Sequence, residues 1–288
     1  MTIRIGADIG GTTMCVGAFP EEGGLTVSPL DVVTIAVTRD FNVDTTALIE
    51  AILQFVAKFG PASGIGADVA GLLDPQRDML LGAGNLPNYA RKPLRETIAA
   101  GTGINRVSLG NDTEGHALYE ALTNPGLKGR DCVMVEIGTG IGIARIAWIN
   151  GVPYSFPTEG AHLKYYGPVR VPNPHKCGCG SLHCIERLSS GDGILQRFGG
   201  YDLKDEEWRD IAHYQAVGIA GALAFNPVQT VVYGGGVAEK QPLLIRRFRS
   251  ALELELIDGL SGLVDVIPAK TTKHEGAVGG LALLERGA

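Results

Sequence analysis

The stretch IGADIGGTTMCVGAF at residues 5–19 is repeated in outline by VMVEIGTGIGIARIA at 133–147. Each runs as apolar strand, acid, Ile, glycine turn and second apolar strand. Self-similarity of this kind marks a duplicated fold, with two related units in place of one continuous core. A chain of 288 residues with 45% hydrophobic content has enough apolar material to bury two cores. Two such units facing one another make a cleft, with each glycine turn pointing into it. The boundary is expected near 119–130, where Thr123, Asn124, Pro125, Gly126 and Gly129 interrupt the apolar pattern. On this reading 1–120 is an N-terminal α/β domain completed by a C-terminal helix at 275–288, and 121–274 is a larger α/β domain.

Local patterning fills in the first unit. Strands are expected at 3–9, 14–19 and 31–37, followed by a helix whose apolar positions Leu48, Ile49, Ile52, Leu53, Val56 and Phe59 have helical spacing. Gly60 and Pro61 end it. A strand at 65–70, a short helix near 92–100 and a strand at 106–109 come next, and Asn111, Asp112 and Thr113 begin a further helix. Later, VQTVVYGGGV reads as a strand entering a glycine turn. The closing HEGAVGGLALLERGA reads as a small-residue helix suited to tight packing.

The glycine turns carry chemistry of their own. Around Gly10, Gly11, Thr12 and Thr13, and again at Gly138, Thr139 and Gly140, glycine lets the backbone approach oxygen anions closely. Successive N–H groups and the Thr12 and Thr139 hydroxyls then hold phosphate with no basic side chain. Gly234, Gly235 and Gly236 form a third turn at a strand end. One such turn is an ordinary hairpin feature, whereas three at strand ends favour phosphate. Asp8, just before the first turn, is placed to hold Mg2+ through water. Neither the Walker pattern nor the dinucleotide fingerprint is present.

A second chemical feature is the run HKCGCGSLHCIE, with Cys177, Cys179 and Cys184 a short way after His162. Three thiolates and one imidazole complete a tetrahedral shell for structural Zn2+. His162, His175 and His183 all compete for the fourth position at this level. Glu159 and Glu186 bracket the run, and such acids suit a hydroxyl-rich ligand better than they suit zinc. Cys15 and Cys132 lie inside apolar runs and are expected to be packing residues.

Charge and hydropathy exclude other classes. Lys and Arg total 25 against 31 Asp and Glu, a net charge of −6. The cations are scattered except for Arg246, Arg247 and Arg249, expected to form a solvated helix face. Nucleic acid is therefore not an expected partner. No stretch has the apolar length of a membrane span, and the first residues enter a strand pattern directly, so a cytoplasmic protein without a membrane partner is expected.

Taken together and in order, Asp8-Ile-Gly-Gly-Thr, Gly84-Asn85-Leu-Pro, Asn111-Asp112, Gly138-Thr-Gly140, Glu159 with His162, the run ending Cys184-Ile-Glu186, and Gly234-Gly-Gly resemble the ROK family of sugar kinases and repressors. The resemblance spans nearly the whole chain. It implies an actin-like ATPase fold, ribonuclease H-like and duplicated, binding ATP and a small sugar, with homodimers common. It further implies glucokinase-like phosphorylation of a hexose or N-acetylhexosamine, with Asp112 as the base. By similarity, Gly71, Asn85, Asn111, Asp112, Glu159, His162 and Glu186 hold the sugar, and His162 joins the three cysteines on zinc. Where the family usually has glycine this chain has Thr158, Ala161 and His183, a difference expected to bear on which sugar fits. A sugar-sensing regulator is the alternative, ranked lower because the first strand begins at residue 3 and Asp112 is present.

Overall fold

Strand β1, Ile3–Ile9, is buried along almost its whole length, as expected of a mainly apolar run between two packed layers. It pairs antiparallel with β2 (Thr13–Pro20), which pairs with β3 (Asp31–Ala36). Helix α1 (Phe41–Phe59) follows, its first turn capped by Asp40, whose side chain accepts from the N–H groups of Asn42 and Val43. Strand β4 (Ala62–Val69) then adds parallel to β1. A short hairpin, β5 (Leu72–Leu73) with β6 (Leu80–Gly82), leads to α2 (Leu94–Thr102). Strand β7 (Val107–Asn111) adds parallel to β4 and runs straight into α3 (Asp112–Thr123). The computed structural model describes residues 1–270 and 277–286.

The second half repeats this plan. Strands β8 (Cys132–Ile137), β9 (Ile141–Ile149) and β10 (Val152–Thr158) form an antiparallel meander. Helices α4 (Ile185–Ser189), α5 (Gly191–Phe198) and α6 (Asp205–Phe225) precede β11 (Thr230–Gly234), which is parallel to β8. After α7 (Gly236–Lys240) and α8 (Leu243–Glu255), β12 (Asp265–Pro268) adds parallel to β11. The two sheets read β3-β2-β1-β4-β7 and β10-β9-β8-β11-β12. Numbered within each five-stranded sheet, both orders are third, second, first, fourth, fifth, which is the duplication that the repeated strand-turn-strand pattern implies.

The chain divides into two units, Met1–Lys128 with His274–Ala288, and Gly129–Lys273. In the first, the core gathers Ile3, Ile5, Ile52, Ile65, Val69 and Leu109 on one side of the sheet. In the second, the core gathers Val135, Ile211, Ile219, Val231 and Phe248. The closing helix α9 (Val278–Arg286) belongs to the first unit, while 275–276 and 287–288 of the helix expected from sequence lie outside the described residues. Its small residues act as the sequence suggests. A Cβ added at Gly66 would stand 1.8 Å from the Gly280 carbonyl oxygen, so helix and strand backbones touch directly.

The arginine trio departs from expectation. Arg246 is exposed, whereas Arg247 Nε donates to Asp205 Oδ1 at 3.1 Å and Arg249 donates to the Val266 carbonyl. Two of the three therefore tie α8 to the first turn of α6 and to β12. Cys132 is buried and Cys15 half-buried, each within its strand.

Replacing Gly66 by Ala is expected to lower unfolding free energy by about 3 kcal/mol, since the atom it meets is backbone and cannot rotate away. Gly259→Ala, whose added Cβ meets nothing within 4 Å, is expected to stay within about 0.5 kcal/mol of the parent. Denaturant unfolding of both variants checks the pair.

Candidate active site

Three strand ends determine where the first unit presents its polar groups. Because β1, β4 and β7 run parallel, Ile9, Val69 and Asn111 stand in one register row. The turn after β1, residue Gly71 and the start of α3 therefore emerge along one edge of the sheet. Strand ends of this kind are where open α/β sheets bind ligands. One row back, Asp8 lies beside Asp68 on β4 and opposite Cys15 on β2. Burial pushes the Cys15 thiol up, with Asp8 and Asp68 adding to it.

The first turn is closed by Gly10 N–H donating to the Thr13 carbonyl at 3.0 Å. Thr12 and Thr13 are exposed. A Cβ added at Gly11 would lie 2.5 Å from Asn85 Cβ, so the loop carrying Asn85 rests against the turn. At the neighbouring strand end, Asn111 Nδ2 donates to the Gly71 carbonyl at 3.0 Å. Asn111 also caps α3, its Oδ1 accepting from Thr113 N–H at 3.0 Å, and Glu114 completes a capping box. Asp112 Oδ1 accepts from the same N–H at 2.9 Å. Asn111, Asp112, Gly71, Asn85 and the first glycine turn are thus brought together in one unit.

The other two turns meet in the second unit. Gly138 N–H donates to the Gly140 carbonyl at 3.0 Å, and the Gly138 and Thr139 carbonyls accept from Gly191 and Asp192 at 2.8 and 3.0 Å. Gly235, at φ 93°, sits so close to β8 that an added Cβ would lie 2.6 Å from the Ile137 nitrogen. The 234–236 turn therefore packs on the end of the strand that enters the 138–140 turn.

In the same unit, the side-chain donors of His162, Cys177, Cys179 and Cys184 all lie within 4.8 Å of one another. His162 Nδ1 faces Cys177 Sγ at 3.5 Å. Its Nε2 lies 3.4 Å from Glu159 Oε2, so the ring nitrogen expected to meet a sugar hydroxyl is occupied by a carboxylate here. His175 and His183 stand outside the cluster, and the His183 ring packs on Tyr166. The cysteine loop turns on a Gly180 to Cys177 bond of 2.8 Å, and Cys184 pairs with Lys164 across a short bridge. Burial pushes the Cys177 and Cys184 thiols up. Glu186 joins loop to turn: Oε1 accepts from Cys177 at 3.3 Å and Oε2 from Ile141 N–H at 3.2 Å.

A ROK family model matches residues 4–286. The chain belongs to the ROK family. It is 26% identical to a glucokinase of Streptomyces coelicolor, over 97% of this chain and 96% of that one. It is 28% identical to an N-acetyl-D-glucosamine kinase of Shigella sonnei, over 81% and 84%. A crystal structure of a ROK family glucokinase from Streptomyces griseus in complex with glucose and AMPPNP superposes with a TM-score of 0.74, at 23% identity, over 96% and 97% of the two chains. The fold is the actin-like ATPase fold. No helix among the described residues is long and apolar enough to cross a membrane.

Several residues that shape the site escape a reading of local patterns. Arg77, in the loop between β5 and β6, makes two bonds to Glu114, at 2.8 and 2.7 Å, and one to the Leu109 carbonyl at 3.3 Å. It thereby fixes the acid that fixes the start of α3. The Asn-x-x-Glu spacing at 111–114 carries a capping-box signal, whereas nothing near Arg77 in sequence announces its partner. Asp68 is likewise unmarked by its surroundings.

Arg77→Met is expected to cost about 2 kcal/mol, less than a fully buried pair because the arginine is one-third exposed. Adding Glu114→Gln to that variant should recover part of the loss, since the buried acid no longer carries a charge. Unfolding curves of the single and double variants measure both effects.

Proposed function

We propose that this chain is an ATP-dependent sugar kinase that phosphorylates a hydroxyl of a hexose or N-acetylhexosamine, with glucose the leading substrate. The supporting observation is the register row that brings the Gly10–Thr13 turn, the Asn85 loop, Gly71 and Asp112 to one sheet edge. A phosphate-sized anion and a polar acceptor are then addressed by neighbouring segments of one unit. Two family relatives are kinases of glucose and of N-acetylglucosamine, which supports the substrate class.

In the proposed reaction the sugar hydroxyl oxygen forms a bond to the terminal phosphorus of ATP. The bond from that phosphorus to its bridging oxygen breaks, ADP leaves, and the hydroxyl proton passes to the Asp112 carboxylate. Such transfer depends on positioning and charge compensation more than on covalent help from the protein. Asn85, Asn111 and the Gly71 backbone orient the sugar. Glu159 and Glu186 are the further hydroxyl partners, with His162 joining them where its Nε2 exchanges Glu159 for a hydroxyl, giving a directional discrimination that apolar walls lack. The Gly138–Gly140 and Gly234–Gly236 turns bind the nucleotide. Asp8, near the end of β1, would hold Mg2+ through water, and the ion would offset phosphate charge.

Three thiols and an imidazole within 4.8 Å suit Zn2+, which His162, Cys177, Cys179 and Cys184 would hold as a structural ion. Zinc-bound thiolate has no proton to give, so Glu186 Oε1 would be released from Cys177 to accept from a hydroxyl. The Glu159 carboxylate beside His162 Nε2 orients the ring for metal, in the way that outer partners commonly do. The protein is proposed to act as a cytoplasmic homodimer.

Measuring ADP release across a panel of sugars tests the reading: turnover supports it, and sugar binding without turnover would assign a sensor instead. Asp112→Ala should fold normally by circular dichroism and lose about 100-fold or more in kcat. Near-normal turnover would remove Asp112 from its role. For Cys179→Ser, metal analysis should find zinc lost and sugar KM raised, and unmodified protein purified without chelator yet devoid of zinc would reject the metal site.

A further inference from the structure

The first glycine turn has a cation on it that its sequence does not advertise. Arg39 lies between β3 and α1, and its Nε donates to the Gly11 carbonyl at 3.2 Å. Its own carbonyl accepts from Asn88 Nδ2 at 3.0 Å, in the loop that carries Asn85. Arg39 therefore stands between the turn read as a phosphate cradle and the segment read as a sugar loop. Its terminal nitrogens have no acceptor among the described residues, and the side chain is exposed.

The backbone there is unusual. Arg39 has φ 68°, a left-handed conformation that a residue with a Cβ adopts only under constraint. The constraint is Asp44, a buried acid in the first turn of α1. Its Oδ2 accepts from Arg39 N–H at 2.9 Å and from Tyr89 OH at 3.0 Å. Its Oδ1 accepts from the N–H and hydroxyl of Thr38, both at 2.8 Å. Four bonds to one buried carboxylate hold a strained arginine in place, where glycine would be unstrained. Backbone strain retained by over-determined contacts is a mark of functional positions.

Four other cations of this unit are engaged elsewhere. Arg4 pairs with Glu285, Lys58 with Asp31, Arg77 with Glu114, and Arg95 with Asp78. A chain of net charge −6 that receives a polyphosphate by neutral N–H groups gains from a fixed cation beside them.

We infer that Arg39 is a phosphate-binding residue of the nucleotide site, reaching past Gly11 to pair with oxygens of the phosphate chain. This rests on the kinase reading for the identity of the anion. Guanidinium presents donors in a planar fork matched to phosphate oxygens, which lysine does not reproduce.

The test compares binding of magnesium ATP with binding of adenosine, by calorimetry, in the parent protein and in Arg39→Gly, Arg39→Ala and Arg39→Lys. Arg39→Gly removes the guanidinium while suiting the left-handed backbone, so its unfolding midpoint should match or exceed the parent's. ATP affinity should fall about 10- to 100-fold in the Gly and Ala variants, the range for one charged hydrogen-bonding group. Arg39→Lys should recover part of it, and adenosine affinity should change less than about twofold throughout, its phosphate contacts being absent. Parent-like ATP binding by Arg39→Gly, or equal weakening of ATP and adenosine, overturns the inference. ATP binding by the parent with no turnover of any sugar would end the kinase reading while leaving the Arg39 comparison decisive. Failure of the parent to bind ATP would overturn both.

Discussion

Parallel pairing of β1 with β4 and of β4 with β7 is the constraint on which the first unit depends. It aligns Ile9, Val69 and Asn111 in a row, so three different connections leave the sheet side by side. Parallel strands need both faces covered, and α9 supplies one cover by lying directly on the backbone of β4 through Gly66 and Gly280. Bulkier residues at that contact would lift the helix and open the sheet. The polar groups at the edge are consequently held by an apolar and backbone contact far from any of them in sequence. That contact joins a helix beginning at Val278 to a strand beginning at Ala62.

Much of this was legible in the chain itself, and for definable reasons. β1, α1, β4 and α3 follow from apolar periodicity and from caps such as Asp40 and Asn111, all of which are local signals. The repeated strand-turn-strand pattern anticipated two sheets of one topology, which strand order alone bears out. What local patterns do not carry is pairing over distance. Arg77 meets Glu114, Arg247 meets Asp205 and Arg249 meets the Val266 carbonyl because helices and loops return to each other in three dimensions. The choice among histidines is of the same kind. His175 and His183 are nearer to the cysteines along the chain, yet the loop folds back so that His162 Nδ1 faces Cys177.

Electrostatics poses a problem that the architecture answers in an indirect way. An acidic chain meeting a triphosphate is repelled on average, and the glycine turns carry no basic residue of their own. Backbone N–H groups at strand ends supply partial positive charge without the desolvation cost of burying a cation. The acids at those same ends, Asp8 and the corresponding Glu136 in the second sheet, sit inside the strands one residue before Ile9 and Ile137. Their placement suits interaction through water or metal better than direct contact with phosphate. On the proposed kinase reading, the turn would receive the anion and its preceding acid the cation that accompanies it.

The cysteine loop has a mechanical consequence that does not depend on a metal. Cys184 is the residue immediately before α4, and Glu186 lies in the first turn of that helix. Ile185 N–H donates to the Leu163 carbonyl at 3.1 Å, so the segment after His162 and the start of α4 are stitched together. Glu186 then reaches the Ile141 N–H, one residue past the Gly138–Gly140 turn. A clamp on Cys184 therefore limits α4, α4 limits Glu186, and Glu186 limits the beginning of β9. Each link is a single short contact within one unit. Loosening the loop would thus be felt first in the orientation of one carboxylate and then in the geometry of the adjacent glycine turn, before the core around Val135 and Ile219 is disturbed.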